Sequence, residues 1–481
     1  MSKVKIAVCG GGIAGLCLAG ALLRLDKTGD YVQVDVYEAS AMFTEVGAGL
    51  TLWGRVCEAL YTLELAQDCI DASVIVNSTS EKHSTNGFTL RDYRPPHTPY
   101  GKLPFQSKDK KKSYKQTSFL PSLLLLPDAW SLHRKDLQKI LLRRVPSKYT
   151  HLAKRVTKYE QINSSGPIIL HFPDGTTGEC DVLIGADGIR SAIRAQVMRE
   201  AAELARTKPE LDDTTPYHRH ILPRYSGTIC YRALVNPTEL ALRDPNHPML
   251  RSAQAHVVGY PISETVLNIA VNITPKGVPY CSPDSPLSPG SNTLVDRSRE
   301  INRETFKREV RPKFKDWEGE VGDLLDSVDA SIEWPIMDVE PLPFYSRGRV
   351  VLIGDAAHAT VPYLGAGAAF AIEDALLLSR LLYRAATMIS ELPSHPPRIQ
   401  ILQQSLKIFE EIRLPYGNKV VENGRKVLRD FQLTGPSGTN VEQAVLSIIE
   451  TFKDSTRVVG GCGPNADIQR AIKLLDLRCC C

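Results

Sequence analysis

Gly10, Gly12 and Gly15 stand between an apolar run, Val4 to Val8, and an apolar stretch that continues to about Leu25. This G-x-G-x-x-G spacing suits a phosphate ester. The first glycine makes a tight turn, the second lets a diphosphate approach the backbone, and the third lets helix and strand pack closely. The N-terminus of the helix that follows favours the anion. Glu38 comes 23 residues after Gly15, where a second run, Val32 to Tyr37, ends. A carboxylate there accepts hydrogen bonds from ribose hydroxyls and repels a 2′-phosphate. These residues predict a bound FAD or NAD.

Two later segments carry side chains of the same kind. Asp181-Val182-Leu183-Ile184-Gly185-Ala186-Asp187-Gly188 runs on to Arg190, Ser191 and Arg194, and reads as a buried strand entering a turn with a carboxylate, a hydroxyl and guanidinium groups. Val350-Val351-Leu352-Ile353-Gly354-Asp355-Ala356-Ala357-His358 repeats the strand-to-turn pattern. It continues to Pro362, Gly365-Ala366-Gly367-Ala368 and Glu373-Asp374-Ala375.

The elements that must position these residues follow from hydrophobic periodicity. Val4–Val8, a helix to about Leu25 and Val32–Tyr37 form a βαβ unit. A helix is expected from Leu132 to Arg144, a strand ending at Gly185, and short alternating runs from Ser226 to Asn272, as in half-buried antiparallel strands. A strand returns at Arg349–Gly354, and helical patterns occupy the chain from about Gln400. Residues 81–118, with several prolines and the run Lys108-Asp109-Lys110-Lys111-Lys112, read as an exposed insertion.

A chain of 481 residues outgrows a single core, so at least two lobes are expected. The surplus of +4, from 58 basic and 54 acidic side chains, is too small for a nucleic-acid footprint. The eleven cysteines show no zinc-ligand spacing, so no metal site is expected, and reduced thiols in a cytoplasmic protein fit them. Met1-Ser2-Lys3 leads straight into a strand, leaving no room for a secretion signal. The apolar stretch Phe119–Trp130 holds Pro121 and Pro127 and is shorter than the roughly 20 residues of a membrane helix, so no transmembrane segment is expected.

Taken together, the three glycine-rich segments resemble the class A FAD-dependent aromatic monooxygenases, the p-hydroxybenzoate hydroxylase-like superfamily. The version here is most similar to its salicylate hydroxylase-like and fungal phenol-hydroxylating or dearomatising members. The resemblance implies an α/β fold with a Rossmann-type FAD-binding domain, an inserted β-sheet substrate domain and a helical C-terminal region. Carried onto this chain, the FAD domain is discontinuous over 1–75, 130–215 and 335–390. The substrate domain takes 76–129 and 216–334, and the helical region 391–481.

The resemblance also implies roles. Asp355 would hold the ribityl chain, and Gly365, Gly367 and Ala368 would approach the isoalloxazine, with the following helix dipole stabilising negative charge on the reduced ring. Asp187 matches the family's Asp-Gly motif, implicated in FAD and NAD(P)H binding. Glu45 to Leu50, with Gly49, resembles the segment beside the flavin, and His133 to Leu137 resembles the helix whose arginine, here Arg134, contacts FAD. In the substrate domain, Arg232 and Tyr260 resemble the pair that holds a phenolate. The match departs at Tyr363-Leu364, where relatives often carry His-Gln, and at Phe370, where glutamine is common.

The activity implied is hydroxylation of a phenol or phenolic acid, in secondary metabolism, with non-covalent FAD, transient NADH or NADPH, and O2, through a flavin C4a-hydroperoxide. Decarboxylative, dearomatising and epoxidising outcomes stay open, as do the choice of nicotinamide and the oligomeric state. The partner implied is a small aromatic molecule. A rival of another class is a non-catalytic protein similar to the GDP-dissociation inhibitors, against which the intact Asp187 and Asp355 segments argue.

Overall fold

The computed structural model describes residues 3–43, 49–52, 55–75, 130–161, 165–207, 216–235, 257–263, 266–274, 298–315, 319–391, 397–432, 441–456 and 463–480. The expected insertion at 81–118 and the stretch Glu45–Ala48 lie outside these. The predicted βαβ unit is present as β1 (Val4–Cys9), α1 (Ile13–Leu25) and β2 (Val32–Tyr37). β1 and β2 pair in parallel from Val4 opposite Val32 to Cys9 opposite Tyr37. Strands of a parallel sheet are covered on both faces, and β1 buries every residue but Lys5.

Next come β3 (Gly49–Leu52), α2 (Arg55–Thr62), β4 (Trp130–His133) and α3 (Arg134–Leu142). The helix expected from Leu132 starts two residues later. Leu132 and His133 are held extended by antiparallel pairing with β3, Gly49 facing His133, and the helix ends at Leu142 rather than Arg144. His133 instead caps α3, its Nδ1 accepting from the Lys135 N–H at 3.3 Å. β5 (Thr150–His151), β6 (Val182–Gly185) and α4 (Ala192–Thr207) complete the first half of the parallel-sheet lobe.

The alternating region folds as an antiparallel sheet. Its strands are β7 (Arg224–Val235), β8 (Val257–Ser263), β9 (Val266–Ile273), β10 (Arg299–Asn302) and, after helices α5 (Arg303–Glu309) and α6 (Gly319–Asp326), β11 (Ala330–Asp338). Their spatial order is β8-β9-β7-β11-β10, and β11 runs across position 335. Alternation gives the sheet two different faces. Tyr231, Ala233 and Val235 pack with Phe306, Val310 and Leu324 from the α5–α6 side, whereas Cys230 packs with Ile336, Val361 and Leu428.

β12 (Ser346–Arg347) and β13 (Val350–Leu352) return the chain to the first sheet, whose order is β12-β13-β6-β1-β2-β5 with only β12 antiparallel. The one-turn helix α7 (Asp355–His358) and the long α8 (Gly367–Glu391) follow. α8 packs on α1. α9 (Arg398–Phe431), α10 (Val441–Thr456) and α11 (Pro464–Cys480) form the helical region. Among the described helices, none is long and apolar enough to cross a membrane.

Candidate active site

The glycines of the first turn have distinct surroundings. Gly10 has φ +110°, a backbone state that side chains disfavour, and a Cβ on it would lie 2.2 Å from the Ala186 carbonyl oxygen. A Cβ on Gly15 would lie 2.0 Å from the Gly10 oxygen, so helix and turn touch there. A Cβ on Gly12 would meet no atom of the described residues within 4 Å. Gly12 is also the N-cap of α1, without a side-chain cap and without an acidic residue in the first turn. Among the described residues the space in front of this helix end is therefore clear, and the N–H groups of its first turn face it, as a diphosphate requires.

Glu38 follows β2 directly and bends back over the turn. Its Oε2 accepts from the Gly11 N–H at 2.7 Å and its Oε1 from the Ser40 N–H at 2.8 Å. The carboxylate thus stands beside the glycine turn on the side where the ribose of a dinucleotide lies. Asp355 opens α7 with an exposed carboxylate, and its Oδ1 lies 3.8 Å from where a Cβ on Gly367 would be. The first turn of α8, at Gly367 and Ala368, and the Gly365 turn at φ +59° therefore adjoin that carboxylate. These residues fit FAD: a clear diphosphate cradle, a carboxylate at the ribose end and another at the entry to α8.

Asp187 is used locally. Its Oδ1 accepts from Ser191 Oγ, and its Oδ2 from the N–H groups of Ala192 and Ile193 at 2.7 and 3.2 Å, so it caps α4. Burial pushes its carboxyl pKa up, and these hydrogen bonds offset part of that. Arg194, fully buried, donates to the carbonyls of Ile189, His220 and Ala356, and so joins the Asp187 segment to α7. Burial pushes its pKa down to about 10, with Asp187 and Asp355 opposing the shift.

Gly49 connects the lobes. Its N–H donates to Asn268 Oδ1 on β9 at 2.8 Å, and its strand places it opposite His133, next to half-buried Arg134. Tyr260 sits on β8 opposite the same Asn268. Arg232 lies on the Cys230 face of β7, the face toward Val361 and Tyr363, with its guanidinium 5.8 Å from the centre of the Trp334 ring. Burial raises the Cys230 thiol pKa, and Arg232 offsets part of that rise. Gln432, just past α9, donates to Thr228 at 3.1 Å and Thr274 at 3.0 Å, fixing this end of the sheet to the helical region. Beside the Gly365–Gly367 loop a solvent-open cleft is lined by Leu364, Ala366, Phe370, Tyr416 and Phe452; Arg232 is not among its lining residues.

Sequence reasoning did not single out a buried charge cluster behind this site. Arg413 of α9 donates to Asp374 at 2.7 Å and to Glu373 at 2.8 Å, and Arg55 of α2 reaches Glu373 at 3.2 Å and also Asp467 of α11. Burial pushes the Asp374 carboxyl up, but His358 and Arg413 outweigh it and hold it down at about 2. Burial lowers the Arg413 pKa, but Asp374 and Glu373 outweigh that and hold it up. Glu373-Asp374 was visible as a motif; its partners Arg55, Arg413 and Asp467 look in sequence like ordinary helix-surface charges.

A nucleotide-binding α/β lobe joined to an antiparallel sheet and covered by helices defines a two-lobe flavoprotein of the hydroxylase type. Comparison with known proteins agrees. An FAD binding domain model matches residues 295–388. A salicylate hydroxylase of Pseudomonas putida is 31% identical over 444 residues, covering 90% of this chain and 87% of that protein. The FAD-dependent monooxygenase SAT7 of Stachybotrys chartarum is 31% identical over 423 residues, covering 85% of this chain and 79% of that one. The fold matches a solved salicylate hydroxylase substrate complex with a TM-score of 0.70 at 24% identity over 98% of each chain. The chain belongs to the class A FAD-dependent aromatic monooxygenases, flavoproteins that use NAD(P)H and O2.

Proposed function

We propose that this enzyme hydroxylates a phenol or phenolic acid whose anionic oxygen is held by Arg232. The observation that carries the proposal is the place of Arg232, on the face of β7 that turns to the loop Val361–Tyr363, braced against Trp334. Two relatives with related names support the substrate class: salicylate is itself an ortho-hydroxylated aromatic acid.

FAD, when bound, supplies hydride acceptance from NAD(P)H and activation of O2. Gly10, Gly12 and Gly15 would receive its diphosphate, Glu38 its adenosine ribose and Asp355 its ribityl chain, with Gly49, Arg134, Gly365, Gly367 and Ala368 around the ring. Asp187 would act on this site by capping α4, whose Arg194 reaches the Asp355 turn. Arg232 would bind the phenol oxygen and lower its pKa, because a nearby cation favours the charged form. The resulting phenolate is the electron-rich form that attacks an electrophilic oxygen. Stacking on Trp334 fixes the guanidinium before substrate arrives, which lowers the entropy lost on binding. Tyr260 would hold the same oxygen from β8. One atom of O2 enters the ring and the other leaves as water, the two electrons coming from NAD(P)H.

The test is substrate-dependent NAD(P)H oxidation across phenols and phenolic acids, with products identified by mass. A product with one added oxygen supports simple hydroxylation, the same with loss of CO2 supports the decarboxylative outcome, and retention of a cyclohexadienone supports dearomatisation. If no phenolic compound accelerates NAD(P)H oxidation, the substrate class is wrong. A second reading puts the ring in the cleft between Phe370, Tyr416 and Phe452, which its aromatic lining favours. In that case Phe452→Ala raises KM for substrate and Arg232→Ala does not.

A further inference from the structure

We infer that Asp374 is a positioning residue of the cofactor site: it fixes the Gly354–Asp355 turn that would hold the ribityl chain and ties that turn to the C-terminal helices. The inference rests on the FAD reading above. Asp374 is completely buried, so it has no direct access to substrate or solvent.

Three donors converge on its carboxylate. Oδ2 accepts from the Gly354 N–H at 2.9 Å and from His358 Nε2 at 2.6 Å, and Oδ1 accepts from Arg413 Nε at 2.7 Å. Gly354 and His358 bracket α7, so one side chain grips both ends of the turn on which Asp355 sits. A single helical turn does not hold itself, because nucleation fixes several residues for one hydrogen bond. The direction of the Asp355 carboxylate therefore depends on outside bonds. Arg194, donating to Ala356 at 3.0 Å, supplies one more.

The grip also sets α7 against α8. Asp374 belongs to α8, the helix whose first residue, Gly367, adjoins the Asp355 carboxylate. The carboxylate that would hold the ribityl chain and the helix end that would face the ring are thus registered through one group. Arg413 extends the register to α9, and the Arg413–Glu373–Arg55–Asp467 chain extends it to α2 and α11. Stability alone is a weak reason for such a cluster, since buried ion pairs are often replaceable by apolar groups at no loss. A carboxylate is the side chain that accepts from all three donors, having two oxygens and no hydrogens. An asparagine here would turn an NH2 group on at least one of them.

The experiment is FAD titration of the apoprotein, followed by flavin fluorescence, for wild type, Asp374→Asn, Asp355→Ala and the double variant. Asp374→Asn is expected to raise the Kd by about tenfold or more, as the loss of a charge-assisted bond does. In the Asp355→Ala background the same change should add less than about twofold, because residues acting as one unit are not additive. Independent, multiplying effects overturn the positioning role. Should Asp374→Asn not fold, His358 carries the same test: His358→Leu is expected to weaken FAD binding, and His358→Gln, whose amide still donates to Asp374, to restore it. Equal affinities for those two variants also overturn the inference. If wild type binds FAD and Asp374→Asn binds it equally well, the positioning role alone fails; if wild type binds no FAD, the cofactor reading fails with it.

Discussion

Gly12 and Gly15 are three residues apart in one turn, yet substituting them should fail in opposite ways. At Gly12 the backbone is extended, φ −78° and ψ −172°, and a Cβ there would meet no atom of the described residues within 4 Å. Gly12→Val should therefore fold. Its effect on the apoprotein is limited to a less favourable N-cap, about 0.5–1 kcal/mol. At Gly15 a methyl group would stand 2.0 Å from the Gly10 carbonyl oxygen and 3.1 Å from Val8 Cγ1. Gly10 cannot yield, because its own Cβ position is 2.2 Å from the Ala186 oxygen and its φ is +110°. Overpacking of this kind costs about 1–3 kcal/mol, so Gly15→Ala should lower the stability of the apoprotein itself.

For cofactor binding the order reverses. A valine at Gly12 fills the path a diphosphate takes to the N-terminus of α1, and each charge-assisted hydrogen bond lost there is worth about 1.5–3 kcal/mol, or about 10- to 150-fold in Kd. Urea unfolding of the apoproteins and FAD titration of each separate the two effects. The expected pattern is normal unfolding with poor FAD binding for Gly12→Val, and early unfolding for Gly15→Ala. Wild-type affinity in Gly12→Val would refute the assignment of the empty space to the diphosphate. An unchanged urea midpoint in Gly15→Ala would refute the packing argument.

Three other outcomes follow from the geometry. Arg232→Ala should cut turnover on a phenolic substrate about tenfold or more, the worth of one charge-assisted bond, while FAD stays bound and NAD(P)H oxidation yields peroxide; Tyr260→Phe should do the same more mildly, and wild-type coupling in Arg232→Ala makes that arginine structural. The Asp374 carboxyl, held at about 2 against 3.8 in the unfolded chain, contributes about 2 kcal/mol that is complete above pH ~4 and is lost as pH falls through about 2; the stability gap between wild type and Asp374→Asn should narrow over that window, and a gap independent of pH contradicts the pairing. Cys17, Cys69 and Cys180, whose thiols burial pushes up to about 12, should resist iodoacetamide at pH 8 until the protein is denatured, read by peptide mass; native labelling at the rate of free cysteine contradicts their burial.

The legible parts of this protein are those whose signal is local. β1, α1 and β2 were readable because the change from a continuous apolar run to a helical stretch and back occurs within the first 37 residues, and the glycines mark the turn between them. The antiparallel sheet was readable from alternation, because its inner residues pack on α5 and α6 while its outer ones face the loop before α8. The start of α3 was misread because Leu132 and His133 suit a helix by pattern, and only a partner strand about 80 residues earlier holds them extended. Asp187 reads as a cofactor-site residue by motif, and the cap it forms on α4 is signalled in sequence by Ser191 four residues on, just before a helical run. The charge cluster is the extreme case. Arg55 meets Asp467 across 412 residues and Arg413 meets Asp374 across 39, and nothing near any of these arginines in sequence distinguishes it from a solvated helix charge. The residues predicted to receive the cofactor are short-range motifs because a phosphate needs consecutive backbone groups. Those that hold the motifs in place are scattered, because holding a turn against three helices draws one residue from each.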